Sequence, residues 1–309
     1  MFQLVQRRRY YLGASLILVL LGLLMMGYSF LTTGSPFRLS IEFVGGSIYD
    51  LKFQAETTEQ SIREVFAQFG QDDIIVQKVV RLTDEKDENR WSVRSDFVDT
   101  ETSDQIIDAL NEQVPLDLDS TQWEKVSPTI GGEVTRSAFW AVLTASIVVT
   151  GFIVLAFRRV PNAIRYGVCA IVAMLHDILI MMGVISLAGI FWGWEVDALF
   201  LTAVLTVVGF SVQDSIVMFD RIRENIPKHL GEPYETIVNR SVIETIHRSL
   251  ATQLNAFFVM IAILLFGGVT VKQFIAILLI GLISGTYSSI FIAVPLLVEW
   301  EKRTLARLG

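Results

Sequence analysis

Six stretches of the chain stay apolar for the width of a membrane, and residues 37–136, between the first and second of them, are patterned like a soluble domain. The runs fall at Tyr11–Leu31, Ser137–Phe157, Ile164–Phe191, Ala198–Phe219, Leu250–Phe266 and Phe274–Leu297. Each is close to the roughly 20 residues that a helix needs to cross the hydrocarbon layer. The predicted fold is therefore a polytopic α-helical membrane protein with six transmembrane helices and one inserted domain. Its parts are an N-terminus with the first span (1–36), the inserted domain (37–136), a five-helix bundle (137–299) interrupted by a polar loop at 220–247, and a tail (300–309).

Within residues 37–136 the apolar period changes. Tyr49, Leu51 and Phe53 alternate with Asp50 and Lys52, and Trp91, Val93, Ser95 and Phe97 alternate with polar neighbours, as half-buried strands do. Ile62, Val65, Phe66 and Phe69 recur at helical spacing behind Thr57 and Gln60, with Gly70 as a stop; Ile106, Ile107, Leu110 and Val114 do so behind Thr102 and Gln105. Each Thr–Gln pair has the spacing of a capping box. With further strands near Ile74–Val80 and Thr121–Val126, the order is β-α-β-β-α-β, a ferredoxin-like α+β arrangement.

Composition confirms the class and charge adds an orientation. Hydrophobic residues make up 52% of the chain and charged ones 18%, which excludes an ordinary soluble domain. The net charge of −7 comes from the acidic block at 37–136, most simply a solvated surface. Arg7, Arg8 and Arg9 precede the first run, which is too long for a signal peptide. Arg158, Arg159 and Arg165 fall in one short loop, Arg221, Arg223, Lys228, Arg240 and Arg248 in or beside another, and Lys302, Arg303 and Arg307 in the tail, whereas the alternate short loops hold only Lys272. By the positive-inside rule both termini are cytoplasmic and the 37–136 domain lies outside. Cys169 has neither a second Cys nor a His cluster near it, so it is a packing residue.

Candidate chemistry concentrates in the spans. Asp214 sits in TVVGFSVQDSIVMFDRIREN, and a carboxylate within a spanning helix costs about 2.5–3.5 kcal/mol on insertion scales, so it marks a functional site facing a partner or water. The alternative is that Asp214 reaches the headgroups from the end of its helix. Glu244, Arg248, Thr252 and Asn255, at intervals of four, four and three, form a polar stripe on one face, which offers Arg248 as a partner for Asp214. Arg248 could instead snorkel, or pair with Glu244. The run from Asp220 to His247 reads as a cytoplasmic loop with an amphipathic segment along the membrane. His176 and Asp177 interrupt the third span, but neighbours on a helix point about 100° apart and do not make a joint site by themselves, so they are ranked as supporting polar residues. Gly281 and Gly285, followed by Thr286, Ser288 and Ser289, mark a close-packing face, within the bundle or toward a partner. Gly45–Gly46 and Gly131–Gly132 flank the inserted domain and read either as hinges or as turns that seat it. No phosphate-loop motif occurs, and no catalytic, metal or cofactor constellation is recognised.

GFSVQDSIVMFDRIREN, IEFVGGS after the first span, MLHDILIMMGVISL in the third and LLFGGVTVKQF between the last two together resemble the SecF family of protein translocase accessory subunits, over nearly the whole chain. The resemblance implies a fold like that of RND transporters and a non-enzymatic role: use of the proton or sodium motive force to assist protein export. Asp214 matches the family's ion-coupling carboxylate and Arg248 its arginine in the following span, with Ser211, Gln213, Ser215, Glu244, Thr252, Asn255, His176 and Asp177 as supporting polar groups. Glu42 stands where Asp is usual, Val44 where Thr is usual, and Gln213 and Ser215 where Asn and Thr are usual. Implied partners are SecD in an obligate heteromer, the SecYEG channel, YajC and YidC, membrane lipid and an unfolded polypeptide, with no nucleic acid; the implied location is the bacterial plasma membrane. The chain shows no second set of spans, which by itself argues for a partner carrying the other half of a paired-repeat machine. Two other classes stay open: an RND-type small-solute exporter subunit, and an intramembrane hydrolase using Asp177 and Asp214.

Overall fold

A computed structural model describes residues 4–79, 89–158 and 163–308. The chain divides into two compact units, one of residues 1–38 and 140–309, the other of residues 39–139. Val80 of the second expected strand and Arg159 of the first basic loop lie outside the described residues, as do the side chains of Arg303 and Arg307.

In the smaller unit, α2 (Ile41–Val44) leads into β1 (Gly46–Lys52), followed by α3 (Glu59–Gln68), β2 (Ile75–Lys78), β3 (Arg90–Ser95), α4 (Thr100–Gln113) and β4 (Gln122–Val126). The strands form one antiparallel sheet in the order β2-β3-β1-β4. Tyr49 and Leu51 of β1, Val93 of β3, Ile62 and Phe66 of α3 and Ile106 and Leu110 of α4 make one buried core. The alternation that predicts the strands is this inward face.

The caps differ from expectation. Thr58, not Thr57, accepts from the Ser61 amide to start α3, and Asp99, three residues before Thr102, accepts from the Thr102 amide to start α4. Thr102 also donates its hydroxyl to Asp99, and these bonds hold the Asp99 carboxyl below the usual carboxylate range. Gly70 takes φ +75° after α3, the left-handed stop that glycine permits.

The second glycine stretch is not a turn. Helix α5 (Pro128–Ala156) begins at Pro128, so Gly131 and Gly132 lie in its first turns. Gly45 has φ +83°, and a Cβ there would stand 2.6 Å from the Pro128 Cα; a Cβ on Gly131 would stand 2.7 Å from the Gly45 nitrogen. Thr135 donates its hydroxyl to the Phe43 carbonyl at 2.9 Å across the same contact. These glycines are required for close approach, whereas a Cβ on Gly132 meets nothing within 4 Å. Gly45→Ala and Gly131→Ala are each expected to lower the thermal unfolding midpoint of the full chain in detergent, and Gly132→Ala to leave it unchanged or raise it slightly.

In the larger unit, α1 (Arg8–Thr33), α6 (Ala163–Trp192), α7 (Ala198–Asn225) and α8 (Tyr234–Phe266) join α5. The last span is built from α9 (Val269–Ser288), a π-helical turn (Ser289–Ala293) and α10 (Val294–Leu308). Among the described residues six helical stretches are long and apolar enough to cross a membrane. Half of the apolar stretch of α6 and of α7 and 67% of that of the last span are buried in the unit, against 6–17% for α1, α5 and α8. The first group therefore forms the interior, and the second turns side chains such as Leu16, Phe152 and Phe258 outward. Phe157 and Tyr166 stack at the interior with Phe219 edge-on to both, and Cys169 is buried in the same cluster as a free thiol.

The expected polar loop is shorter than 220–247. Helix α7 runs on to Asn225 and α8 starts at Tyr234, so the amphipathic segment at Ile237, Val238, Val242 and Ile246 is the first half of the same helix as the fifth span. Its periodicity and that of the apolar run join without a breaker, and nothing in Tyr234–Phe266 interrupts the backbone ladder.

The GLISG stripe packs inside the bundle. A Cβ on Gly281 would collide with Val207 of α7 and lie 2.8 Å from Met181 Sδ of α6. Gly281→Ala is expected to destabilise by about 1–3 kcal/mol through overpacking. Gly209→Ala, where a Cβ meets nothing within 4 Å, should stabilise α7 by about 0.5–1 kcal/mol through helix propensity. Reversible unfolding of the two variants in detergent checks the opposite signs.

Candidate ion-coupling site

Asp214 lies mid-helix in α7 and is 7% exposed. Gln253 of α8 donates its Nε2 to Asp214 Oδ2 at 3.4 Å, a long bond, and the Ser249 hydroxyl, one turn earlier on α8, neighbours the same carboxylate. Among the described residues no Lys, Arg or His pairs with it. Within its own unit the acid is shut in by protein, with weak polar support and no countercharge.

Arg248 is not that countercharge here. It is exposed, one residue before Ser249 and so about 100° round α8 from the face that meets Asp214. The whole expected stripe, Glu244, Arg248, Thr252 and Asn255, lies on the exposed face. Thr252 donates to the Arg248 carbonyl of its own helix at 3.0 Å. Glu244 is engaged by Arg221 of α7 at 2.7 Å and by Asn225 at 2.8 Å, not by Arg248. The stripe that turns inward is Ser241, Thr245, Ser249 and Gln253, also repeating every four residues. Both sets satisfy the same spacing, and spacing alone does not say which of them meets the bundle.

A second acid, ranked as merely supporting, is the better connected. Asp177 of α6 is 1% exposed and accepts hydrogen bonds at 2.6 Å from Ser211 of α7 and from Ser284 and Ser288 of α9. His176 Nδ1 lies 3.1 Å from Asp177 Oδ1, so the adjacent pair does make a joint site: the imidazole folds back along the helix onto its neighbour. Gly285 permits the convergence, since a Cβ there would press on the Ser211 Cβ at 3.2 Å. Ser289, the first residue of the π turn, donates to the Ser211 carbonyl at 3.1 Å and receives the Ser215 hydroxyl at 3.2 Å. Ser211 and Ser215 thus link the Asp177 node to the α7 face that carries Asp214, while Gln213 is exposed. The signal for this node was present in the sequence as Gly281, Ser284, Gly285 and Ser288, small and hydroxylated residues at intervals of three, one and three on one face of α9.

Basic side chains of α1, α6 and α10 close one end of the bundle. Arg8 bonds Glu235 at 2.7 Å and Glu299 at 3.0 Å, Lys302 joins Glu235, and Arg165 joins Glu301.

An apolar helical bundle that buries two carboxylates on crossing helices defines a polytopic membrane protein built around intramembrane acids. Residues 105–303 match the family model described as protein export membrane protein SecD/SecF, C-terminal, and residues 30–56 match the one described as the SecD/SecF GG motif, which contains Gly45 and Gly46. The chain is 41% identical to the protein translocase subunit SecF of Anaerolinea thermophila over 97% of this chain and 94% of that one. It is 39% identical to the subunit of the same name from Thermobaculum terrenum over 88% and 87% of the two. The crystal structure of SecDF, a translocon-associated membrane protein from Thermus thermophilus, superposes with a TM-score of 0.77 at 29% identity, covering 97% of this chain and 39% of that one. SecDF in its super-membrane-facing form gives 0.67 at 29% identity, with coverages of 99% and 39%. This chain belongs to the SecD/SecF family of protein-export membrane proteins and spans about two fifths of the SecDF chains it matches.

Proposed function

We propose that the chain is the SecF-type half of a SecD–SecF motor in which Asp214 takes up the driving ion. The observation that carries this reading is the unpaired, buried carboxylate of Asp214 in an apolar helix. Such a group is costly as a charge and accommodates a proton or a small cation readily. Moving one charge across the membrane releases about 2.3 kcal/mol per 100 mV, which suffices to bias a two-state helix packing. Arg248, about 100° away round α8, serves the other state: rotation of α8 by one residue step would exchange Ser249 for Arg248 at the acid.

The inserted domain, ferredoxin-like in strand order, is the moving part on the external face and holds or releases emerging polypeptide; Gly45 and Gly131, packed against each other, move with it as one piece. Both termini are cytoplasmic, as the distribution of Arg and Lys supports, and the membrane is the bacterial plasma membrane, in keeping with the bacterial SecF relatives. The partners are SecD, supported by the two-fifths coverage of the SecDF chains, and the SecYEG channel, with YajC and YidC as accessory contacts.

The test is export into vesicles that hold the chain with its SecD partner and the channel, under an imposed proton gradient and then a sodium gradient. One gradient is expected to accelerate completion of export, and to lose that effect on its collapse by an ionophore. Export indifferent to both gradients would overturn the reading. The RND-type exporter reading predicts solute efflux by the chain in vesicles without a channel.

A further inference from the structure

Two of the buried polar atoms that lack a hydrogen-bond partner among the described residues are His176 Nε2 on α6 and Ser15 Oγ on α1. Their residues are 8% and 5% exposed. A buried polar atom is costly unless it is bonded, so each of these calls for a partner.

Helices α1 and α6 run parallel: Leu12 packs in the cluster that holds Tyr166, and beyond the far end of α1 Ser186 donates to the Pro36 carbonyl. Between these contacts Gly22 meets Gly183, where a Cβ on Gly183 would lie 2.7 Å from the Gly22 Cα. Ser15 and His176 each lie seven residues before that contact, and two turns back along a parallel pair restores the same facing. Tyr287 of α9 supports this independently. Its hydroxyl donates at 3.0 Å to the carbonyl of Tyr11, which in a helix is bonded to the Ser15 amide, and its ring centre is 6.4 Å from the His176 imidazole. These contacts place Ser15 and His176 at the same level of the α1–α6 seam, with no hydrogen bond between them in this structure.

We propose that Ser15, His176 and Asp177 form a second proton-binding site, separate from Asp214, in which a proton from water adds to the lone pair of His176 Nε2. The chemistry fits both charge states. Three serine hydroxyls donate to Asp177, which as an ionised carboxylate only accepts, and it therefore takes the His176 Nδ1 proton as a fourth bond. That leaves Nε2 with its lone pair on the α1–α6 seam, where it makes no hydrogen bond in this structure. On proton uptake the seam closes enough for Nε2–H to donate to Ser15 Oγ, and the imidazolium offsets the Asp177 charge. No other bond forms or breaks. Among the described residues, further titratable groups on the elements that meet the node are Tyr11 on α1, Tyr287 on α9 and Asp214, three residues past Ser211 on α7. No Lys or Arg pairs with Asp177 among the described residues.

The full chain in lipid nanodiscs, ¹⁵N-labelled at histidine, tests the site. The sequence has three histidines, so His229→Gln with His247→Gln leaves the signals of His176 alone. Between about pH 9 and about pH 5 Nδ1 is expected to stay protonated throughout while Nε2 changes from lone pair to N–H. Ser15→Ala should weaken proton binding at Nε2 roughly tenfold, because the charge-assisted bond to the cation is lost. Asp214→Asn should leave the titration in place, so failure of the Asp214 reading and failure of this one are read separately. A His176 imidazole in one protonation state over the whole range, or a midpoint unmoved by Ser15→Ala, would overturn the proposal.

Discussion

Asp214→Asn is expected to abolish the part of export that depends on an ion gradient while leaving the chain folded and assembled. The amide has the shape of the carboxylate and keeps an oxygen for the Gln253 Nε2, so packing against α8 is retained. What it loses is the ability to change charge. A group that stays neutral in both states gains no differential binding energy from the gradient, and a ligand without differential affinity shifts no equilibrium. The gradient-stimulated rate should fall at least tenfold, toward the rate without a gradient, in vesicles holding the partner and the channel; basal export should be unchanged. Gradient stimulation surviving intact in Asp214→Asn would remove Asp214 from the coupling step. Gln253→Leu is the milder companion, since it strips the Gln253 hydrogen bond and leaves the acid in place. It should shift the pH at which stimulation is half-maximal rather than eliminate stimulation, which separates loss of the ion site from loss of its tuning.

What the sequence discloses and what it conceals divide along physical lines. The spans were legible because a membrane-long apolar run carries its own backbone bonding, and the strands because their side chains alternate between core and water. The caps slipped because more than one candidate stood near each start: Thr57 beside Thr58, and Thr102 three residues past Asp99. Residue type alone does not choose between neighbouring hydroxyls and carboxylates. The inward stripe of α8 was missed for a related reason. Arg248 and Asn255 are the more conspicuous residues, yet Ser249 and Gln253 are the ones that reach Asp214, and a helical period fixes spacing without fixing rotation. Asp177 was undervalued because its partners are distant in sequence. Ser211 is 34 residues away, Ser284 107 and Ser288 111, so their convergence belongs to the packing of three helices and not to any local pattern.

Asp177→Ala is expected to destabilise the bundle strongly. It removes one acceptor from three hydroxyls and one imidazole, all on buried residues, and leaves donors of α7 and α9 without the carboxylate that gathers them. Breaking a buried polar cluster by deleting one member costs about 3–5 kcal/mol, because the remaining groups keep their desolvation penalty without their bonds. The loss falls at a sensitive place. Ser288 immediately precedes the π turn, and Ser289 within it holds the Ser211 backbone, so the register of the last span against α7 depends on the same few atoms. Asp177→Asn should be intermediate: its carbonyl oxygen still accepts, and the serine hydroxyls can rotate to receive its NH₂. Unfolding of purified full-length chain in mixed detergent micelles should therefore rank wild type above Asp177→Asn and Asp177→Ala last. Ser284→Ala, which deletes a donor and spares the acceptor, should cost only about 0.5–1.5 kcal/mol. If Asp177→Ala unfolded together with wild type, the three helices would be held by their apolar and glycine contacts alone, and the node would have to be explained by its proton chemistry rather than by stability.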